Sequence, residues 1–491
     1  MKTVLGIDLG TQSLKVVVYD YSSHAIVASN AASLDVDKDA NGKAEQNADD
    51  WLAAMRSALG ELDKEVRESV QAVAVSGQQH GFVALDEAGD VICPVKLWCD
   101  TSTQAEADEI TTACGGQDAC IALTGNPVLT GYTSPKIRWL RNHQPELYRR
   151  LRHIALPHDY LNYLLTGRLV MEHGDASGTG LLDVRQRRWS PEVLRAVDEQ
   201  RDLYECLPTI VEAGSSIGIT SVDCERRFGL PRGIPVATGG GDNMMAAIGT
   251  GNVLPGRLTM SLGTSGTLFA SADSPVVDDS GNIAAFCNST GGWLPLLCTL
   301  NCTSATELVR SMLGIELSDF DRLVESAEPG CQGLTVLPFF AGERTPNVPH
   351  ANAQMHGMQS HNVSAAHLMR GTVEGVTFGL RFGLDELRRL GVTAKEIVVT
   401  GGGAQSRAWR QVVANACALP VVSLAVDEGA GFGAAMQALW LLERESDPAF
   451  AIESVVDEHV QFADRIEPRA ADIPVLADAY SRYRSAVESL K

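Results

Sequence analysis

The sequence predicts an α/β protein made of two related mixed-sheet domains that face each other across a cleft. Three features point that way. Strand-like and helix-like segments alternate along the chain, a pattern that covers a sheet with helices on both faces. A strand, a Gly-Thr turn and a second strand, LGTQSLKVVVYD from Leu9, return in the second half as LGTSGTLFASAD from Leu262; that recurrence is far too long for a stacked-repeat solenoid and suits tandem domains. The chain's 491 residues also exceed the roughly 250 to 300 at which one hydrophobic core stops growing.

Taken in order, TVLGIDLG, SLKVVVYD and HAIVASN are β-rich runs separated by turn residues at Gly10 to Gln12 and at Ser22 and Ser23, and predict an antiparallel meander. DDWLAAMRSALGEL follows as a helix: Trp51, Leu52, Met55 and Leu59 share one face, and Asp49 or Asp50 is expected to cap it. QAVAVS is the next strand. The second half reads as helix TSATELVRSML, strand LTVLPF, a long helix around HLMRGTVEGVTFGLRFGLDELRRL, strand EIVVT, helix SRAWRQVVANAC, strand PVVSL and a last core helix GFGAAMQALWLL. Both halves share one order of elements. With GDNMMAAIG and the turn LPG between them, the domains are placed at residues 1–245 and 246–491. No proline-rich or charged linker separates them, so they are expected to meet along the cleft.

Composition removes several function classes. With 45% hydrophobic residues and a mean hydropathy of -0.02, the chain has material for buried cores. A formal charge of -21 repels phosphate backbones and anionic lipid, which argues against nucleic-acid or membrane partners. No apolar run approaches the roughly 18 residues of a membrane span, and Asp8 interrupts the stretch where a signal peptide needs apolar residues, so a cytoplasmic protein is expected. The 11 cysteines, scattered from Cys93 to Cys417, suit reduced thiols. Cys298 and Cys302 lack the second pair or histidine that a zinc site needs. The 7 tryptophans and the apolar helices serve core or dimer contacts, and a homodimer is left open.

The chemistry-bearing segments come in pairs. GIDLGTQSLK places Asp8 at a strand end before a turn whose amides and Thr11 hydroxyl can face an anion. Asp8 could hold a hydrated Mg²⁺, which needs only one or two carboxylates; equally, the segment could be a hairpin whose polar groups satisfy their own turn. Lys15 either adds positive charge there or points to solvent. SLGTSGT, with Gly263 and Thr264, is the matching turn, and two such turns across a cleft could grip one polyphosphate. Neither has the GxxxxGK[ST] spacing of a Walker loop. In TGGGDNMMAAIG, Asp242 stands where a helix begins, as a cap or as the base that takes a substrate hydroxyl's proton. Its three glycines are expected to bring the backbone close to a ligand. TGGGAQSRAW, with Gly401, Gly402, Gly403 and Gln405, reads either as adenosine contact or as tight helix–strand packing. On first-half loops, SGQQHG offers Gln79 and His80 to several hydroxyls, and LWCD offers the Trp98 ring to a sugar's C–H face. Glu343 and Arg344 of GERTP are expected to form an interdomain ion pair.

These segments, with GYTSPKIRWLRN, EHGDASGTGLLDV and LPFFAGERTP between them, occur in the order and at the intervals of the FGGY carbohydrate kinases, which the chain resembles over nearly its whole length. The resemblance implies two actin-like (ribonuclease-H-like) ATPase domains with an interdomain cleft, ATP and Mg²⁺ as cofactors, and a small-molecule sugar as substrate. It implies transfer of phosphate to a sugar hydroxyl, foremost the 5-hydroxyl of the pentulose D-xylulose. Asp242 then corresponds to the catalytic base and Asp8 to the magnesium-associated acid. Gln79, His80, Trp98, Asp100, Asp242 and Asn243 correspond to sugar contacts; Thr11, Gln12, Lys15, Gly263 and Thr264 to phosphate contacts; and Gly401, Gly402, Gly403 and Gln405 to the adenosine loop. The family pattern often carries methionine at Gln79 and usually alanine or serine at Gly371. Sibling kinases of ribulose, a polyol or gluconate are the alternatives, followed by a non-catalytic actin-like ATP switch. With an unperturbed carboxyl near pKa 3.9, Asp242 is expected to act more by positioning than by basicity.

Overall fold

The computed structural model describes residues 1–426 and 428–490. The meander forms as β1 (Thr3–Leu9), β2 (Ser13–Asp20) and β3 (Ala25–Ser33). It is followed by α1 (Ala48–Gly60), β4 (Val70–Gly77), α2 (Pro157–Thr166), β5 (Ser216–Ile219), β6 (Pro235–Ala237) and α3 (Asp242–Gly249). The second half contributes β7 (Gly256–Leu262), β8 (Gly266–Ala270), β9 (Leu296–Thr299), α4 (Ala365–Arg389), β10 (Ala394–Thr400), α5 (Arg407–Cys417), β11 (Val421–Leu424), α6 (Gly429–Ser446) and β12 (Phe462–Ile466). Asn47, not Asp49 or Asp50, occupies the cap position of α1; the two acids lie in its first turn, where they still complement the helix dipole.

The two sheets repeat one plan. In the first, the strands lie in the order β3-β2-β1-β4-β6-β5, with the short strand Gly240–Gly241 also paired to β4; in the second, the order is β9-β8-β7-β10-β11-β12. In each, the first three strands are antiparallel, the next two run parallel, and the outermost turns back. Central β1 is buried on both faces, as parallel pairing under helices requires, whereas edge strand β3 alternates between exposed and half-buried residues. The halves differ at one edge: β5 precedes β6 in the chain but lies outside it.

The duplicated plan is as expected, but the halves do not separate at residue 245. That position lies inside α3, and the second sheet starts only at Gly256. Two second-half segments also belong spatially with the first. Loop 276–293 docks on first-half residues: Asn126 exchanges hydrogen bonds with the backbone of Ala285 at 2.8 and 2.9 Å, and the Trp293 indole N–H donates to the Val184 carbonyl at 2.8 Å. Helix α6 crosses from the second sheet to lie on β1 and β4 of the first, alongside α3. The core between the sheets draws on both halves, from Val4, Tyr19 and Ala74 to Phe269, Leu296, Phe432 and Met436.

That crossing depends on missing side chains. A Cβ on Gly433 would lie 1.7 Å from the Met245 carbonyl oxygen of α3, and one on Gly6 would lie 1.9 Å from the Gly431 oxygen. The backbones of β1, α3 and α6 therefore touch directly. In denaturant unfolding, Gly433→Ala is expected to lose at least about 1–3 kcal/mol through overpacking. Gly60→Ala, whose new methyl meets nothing within 4 Å, is expected to lose none; equal losses in both would contradict this account of the seam.

Candidate active site

A cavity of about 1140 Å³ opens where the two sheets meet, lined by both halves. It exceeds the roughly 300–1,000 Å³ of a typical single-ligand site, which leaves room for more than one small molecule. The strand ends that carry the duplicated turns deliver its chemistry. From the first half come Asp8, Gly10, Ser13 and Lys15; from the second come Ser261, Gly263, Thr264 and Ser265. The second turn is braced from behind. The Thr303 N–H donates to the Gly263 carbonyl at 2.8 Å and the Ser304 hydroxyl to the Thr264 carbonyl at 2.9 Å, which leaves the turn's other face to the cavity.

Asp242 opens α3 at the base of the cavity. Its Oδ1 accepts from the Asn243 backbone N–H at 2.8 Å and from Asn243 Nδ2 at 2.9 Å; its Oδ2 takes no protein hydrogen bond among the described residues. Burial, then the charges of Asp8 and Asp175, push its carboxyl up to about 7. The helix N-terminus opposes that rise, but a dipole contribution of about 0.3–1 kcal/mol is below one pKa unit, whereas burial moves carboxyls by up to several. The raised value corrects the expectation of an ordinary, weakly basic carboxylate. Asp8 is also raised, mainly by burial, against a 2.7 Å hydrogen bond from the Ser76 hydroxyl and the charge of Lys15.

Beside Asp242, Asn243 Nδ2 also donates to Gln79 Oε1 at 2.8 Å, so Gln79, Asn243 and Asp242 form one polar chain along the wall. His80 adjoins it in a left-handed backbone conformation (φ 65°), its ring packed against Tyr132 and Phe286. Burial, with Lys136 and Arg344 adding to it, pushes His80 well below its usual value and keeps the ring neutral. Trp98 lines the cavity while its indole N–H donates to the Thr11 hydroxyl at 3.0 Å. Across the cavity, Gly401, Gly402 and Gln405 line the wall.

Several expected contacts are placed elsewhere. The Thr11 hydroxyl is committed to Trp98 and to Gln78 Oε1, at 3.0 Å each, and neither Thr11 nor Gln12 lines the cavity; Ser13 does. Asp100 is fully buried behind the wall, accepting from Ala44 N–H, Lys96, and the amide and hydroxyl of Ser102. Gly403 packs on Leu262 and Trp409, which is the packing alternative, while its neighbours Gly401 and Gly402 face the cavity. The glycines before Asp242 make room for protein, not ligand: side chains on Gly239, Gly240 and Gly241 would strike the Val75 carbonyl, Ser289 and Gln79. Lys15 lines the cavity but is paired with Glu428 at 2.7 Å. Glu343 forms no ion pair with Arg344. It accepts the backbone N–H groups of Leu300, Asn301 and Arg344, while the Arg344 side chain lines the cavity without a carboxylate partner among the described residues. Ser13, Arg344, Tyr132 and Phe286 also line the cavity but were not picked out as site residues, although the segments of the first three were, because a strand, loop or aromatic residue shows its orientation only once folded.

The comparisons agree with this geometry. Residues 3–249 match the N-terminal domain and residues 258–442 the C-terminal domain of the FGGY family of carbohydrate kinases. A xylulose kinase of Haemophilus influenzae is 38% identical over 99% of this chain and 99% of its own length, and one of Streptomyces coelicolor is 38% identical over 91% and 90%. Among solved structures, a "xyloylose kinase" from Brucella ovis aligns with a TM-score of 0.91 at 30% identity over 100% of both chains. The chain belongs to the FGGY family of carbohydrate kinases. It is a phosphotransferase with the actin-like two-domain fold, acting on a small-molecule sugar with ATP. Among the described residues no helix is long and apolar enough to cross a membrane.

A carboxyl raised to about 7 has a definite linkage sign. It favours the fold while protonated, and that contribution is lost as pH rises from the unfolded value near 4 through 7. Asp242→Asn is therefore expected to be more stable than the unsubstituted protein at pH 8, with the gain shrinking toward pH 5. Thermal unfolding across that range checks it, and a variant less stable at pH 8 contradicts it.

Proposed function

We propose that this chain is an ATP-dependent pentulose kinase that converts D-xylulose to D-xylulose 5-phosphate. The observation that carries the proposal is one cavity in which Asp242, with its carboxyl near neutrality, stands between hydroxyl-reading side chains and a braced glycine-threonine turn. The identity to relatives named xylulose kinase supports the choice of sugar.

In this reading Gln79, His80 and Asn243 bind the sugar hydroxyls and Trp98 offers its ring to the C–H face. Gly263 and Thr264 hold phosphate oxygens through backbone N–H and hydroxyl groups, and Gly401, Gly402 and Gln405 take the adenosine. Lys15 reaches the phosphates by exchanging Glu428 for them. The 5-hydroxyl oxygen attacks the γ-phosphorus of ATP, its proton passes to Asp242 Oδ2, and ADP leaves. A base near pKa 7 is matched to that transfer at neutral pH.

The residues present also fit Mg²⁺. Among the described residues no group of three or more acids, histidines or cysteines could cage a metal, and Mg²⁺ ordinarily takes one or two carboxylates and completes its shell with water and substrate phosphates. Asp8, buried and raised beside Asp242, is the carboxylate that would hold it. When bound, the ion supplies charge neutralisation to the phosphates. The 11 cysteines are all free thiols, which supports a cytoplasmic setting.

A panel of D-xylulose, D-ribulose, a polyol and gluconate with coupled ADP detection tests the substrate. D-xylulose is expected to give the highest kcat/KM, and a stronger response to another member would replace it. Asp242→Asn is expected to lower kcat by about 10²–10⁴-fold with sugar affinity changed only a few-fold. For the unsubstituted enzyme, kcat/KM is expected to fall tenfold per pH unit below about 7; a level profile from pH 5.5 to 8 would remove Asp242 as the base.

A further inference from the structure

The segment Glu172 to Gly180 lies directly behind His80 and touches neither substrate in the reaction as derived, although the charge of Asp175 contributes to raising Asp242. Glu172 caps its short helix, accepting the Gly174 and Asp175 N–H groups at 2.6 Å each. Asp175 is fully buried. Its Oδ2 pairs with His158 Nδ1 at 2.9 Å, and His158 is in turn 3.1 Å from Asp159. Burial alone would lower His158, but Asp159 and Asp175 more than offset it and hold the ring up at about 9, as a cation. The other oxygen, Asp175 Oδ1, is buried with no hydrogen-bond partner and faces His80 Nδ1 at 4.0 Å, which is also buried and unpaired.

Two buried polar atoms without partners, one an acceptor and one able to donate, are costly apart and compensate each other when joined. At 4.0 Å they do not yet form a hydrogen bond. The remaining freedom of His80 is small. Its carbonyl is clamped by Lys136 Nζ at 2.7 Å, and a Cβ on Gly178 would lie 2.0 Å from Nδ1, so the ring rests against bare backbone. A shift of about 1 Å, as occurs when a ligand seats in a pocket, brings Nδ1 within reach of Oδ1.

We propose that Asp175 is a positioning residue for the sugar: it keeps the hydrogen of the neutral imidazole on His80 Nδ1, so that Nε2 meets a sugar hydroxyl as an acceptor. The proposal rests on the reading of His80 as a sugar contact. It assigns the buried carboxylate a role through the histidine, in the way carboxylates fix the tautomer of other functional histidines. Gly178 is part of the device, since any side chain there would displace the ring.

The test has two arms. Nitrogen-15 NMR of the full-length protein reads the His80 tautomer without turnover. The unsubstituted protein with sugar bound is expected to show Nδ1–H, and Asp175→Asn to lose that preference. An Nε2–H ring in the unsubstituted protein overturns the proposal, whether or not the variant folds. In the kinetic arm, Asp175→Asn is expected to raise the KM for the sugar about tenfold, as befits one lost hydrogen-bond partner, with the KM for ATP unchanged. In a His80→Ala background the same substitution is expected to add nothing further to the sugar KM, while any change in kcat reports the charge of Asp175 on Asp242. An equal further loss in that background would make Asp175 purely structural and overturn the proposal. Failure of every sugar in the panel would instead overturn the proposed choice of sugar, whereas a sugar that binds while His80 carries its hydrogen on Nε2 would overturn the role of Asp175 alone.

Discussion

The backbone contact among β1, α3 and α6 is the constraint on which the rest of the molecule depends. Helix α6 leaves the second sheet and covers the first, and only glycine at Gly6 and Gly433 allows the close approach. Buried Gln437 of α6 then reaches past the seam, exchanging hydrogen bonds with the backbone of Gly239 at 2.8 and 3.2 Å and donating to the Ser289 carbonyl. The turn that presents Asp242 is thus fixed from the second half of the chain. One packing arrangement joins the halves and aims Asp242 into the cavity.

The electrostatics of the site follow from the same packing. Asp8 sits at the end of a buried strand and Asp242 at the start of a buried helix, and burial raises both. A surface aspartate would be fully ionised and weakly basic at neutral pH. Here desolvation and neighbouring acids bring the Asp242 carboxyl toward neutrality, where a proton transfer from an alcohol, as in the proposed function, would be best matched. The cost is that ionised carboxyls destabilise the fold, the usual tension between a working site and stability.

The duplication was legible in the sequence because a Gly-Thr turn between two apolar strands is a local signal, and it recurs. The helices were legible from their apolar faces, and α4, α5 and α6 lie within a few residues of their expected limits. Gln79, His80, Trp98, Asp242, Asn243, Gly263 and Thr264, all singled out in the sequence, line one cavity. What the sequence did not show is which polar side chains are already taken by protein partners. Thr11 has the composition of a phosphate contact, but its hydroxyl is taken by Gln78 and Trp98. Asp100 has the look of a sugar ligand, but Ala44, Lys96 and Ser102 saturate it. The way the halves share elements was not legible for a like reason, because α6 and the loop 276–293 belong by sequence to one half and by packing to the other. The His158–Asp175 pair, assembled from α2 and a helix after it, left no spacing to read.

The most direct measurement is a crystal structure with D-xylulose and a non-hydrolysable ATP analogue. The account predicts Asp242 Oδ2 within about 2.6–3.2 Å of the sugar's 5-hydroxyl, and the terminal phosphates between Gly10–Ser13 on one side and Gly263–Thr264 on the other. A sugar bound away from Asp242, or phosphates held outside the paired turns, would contradict it.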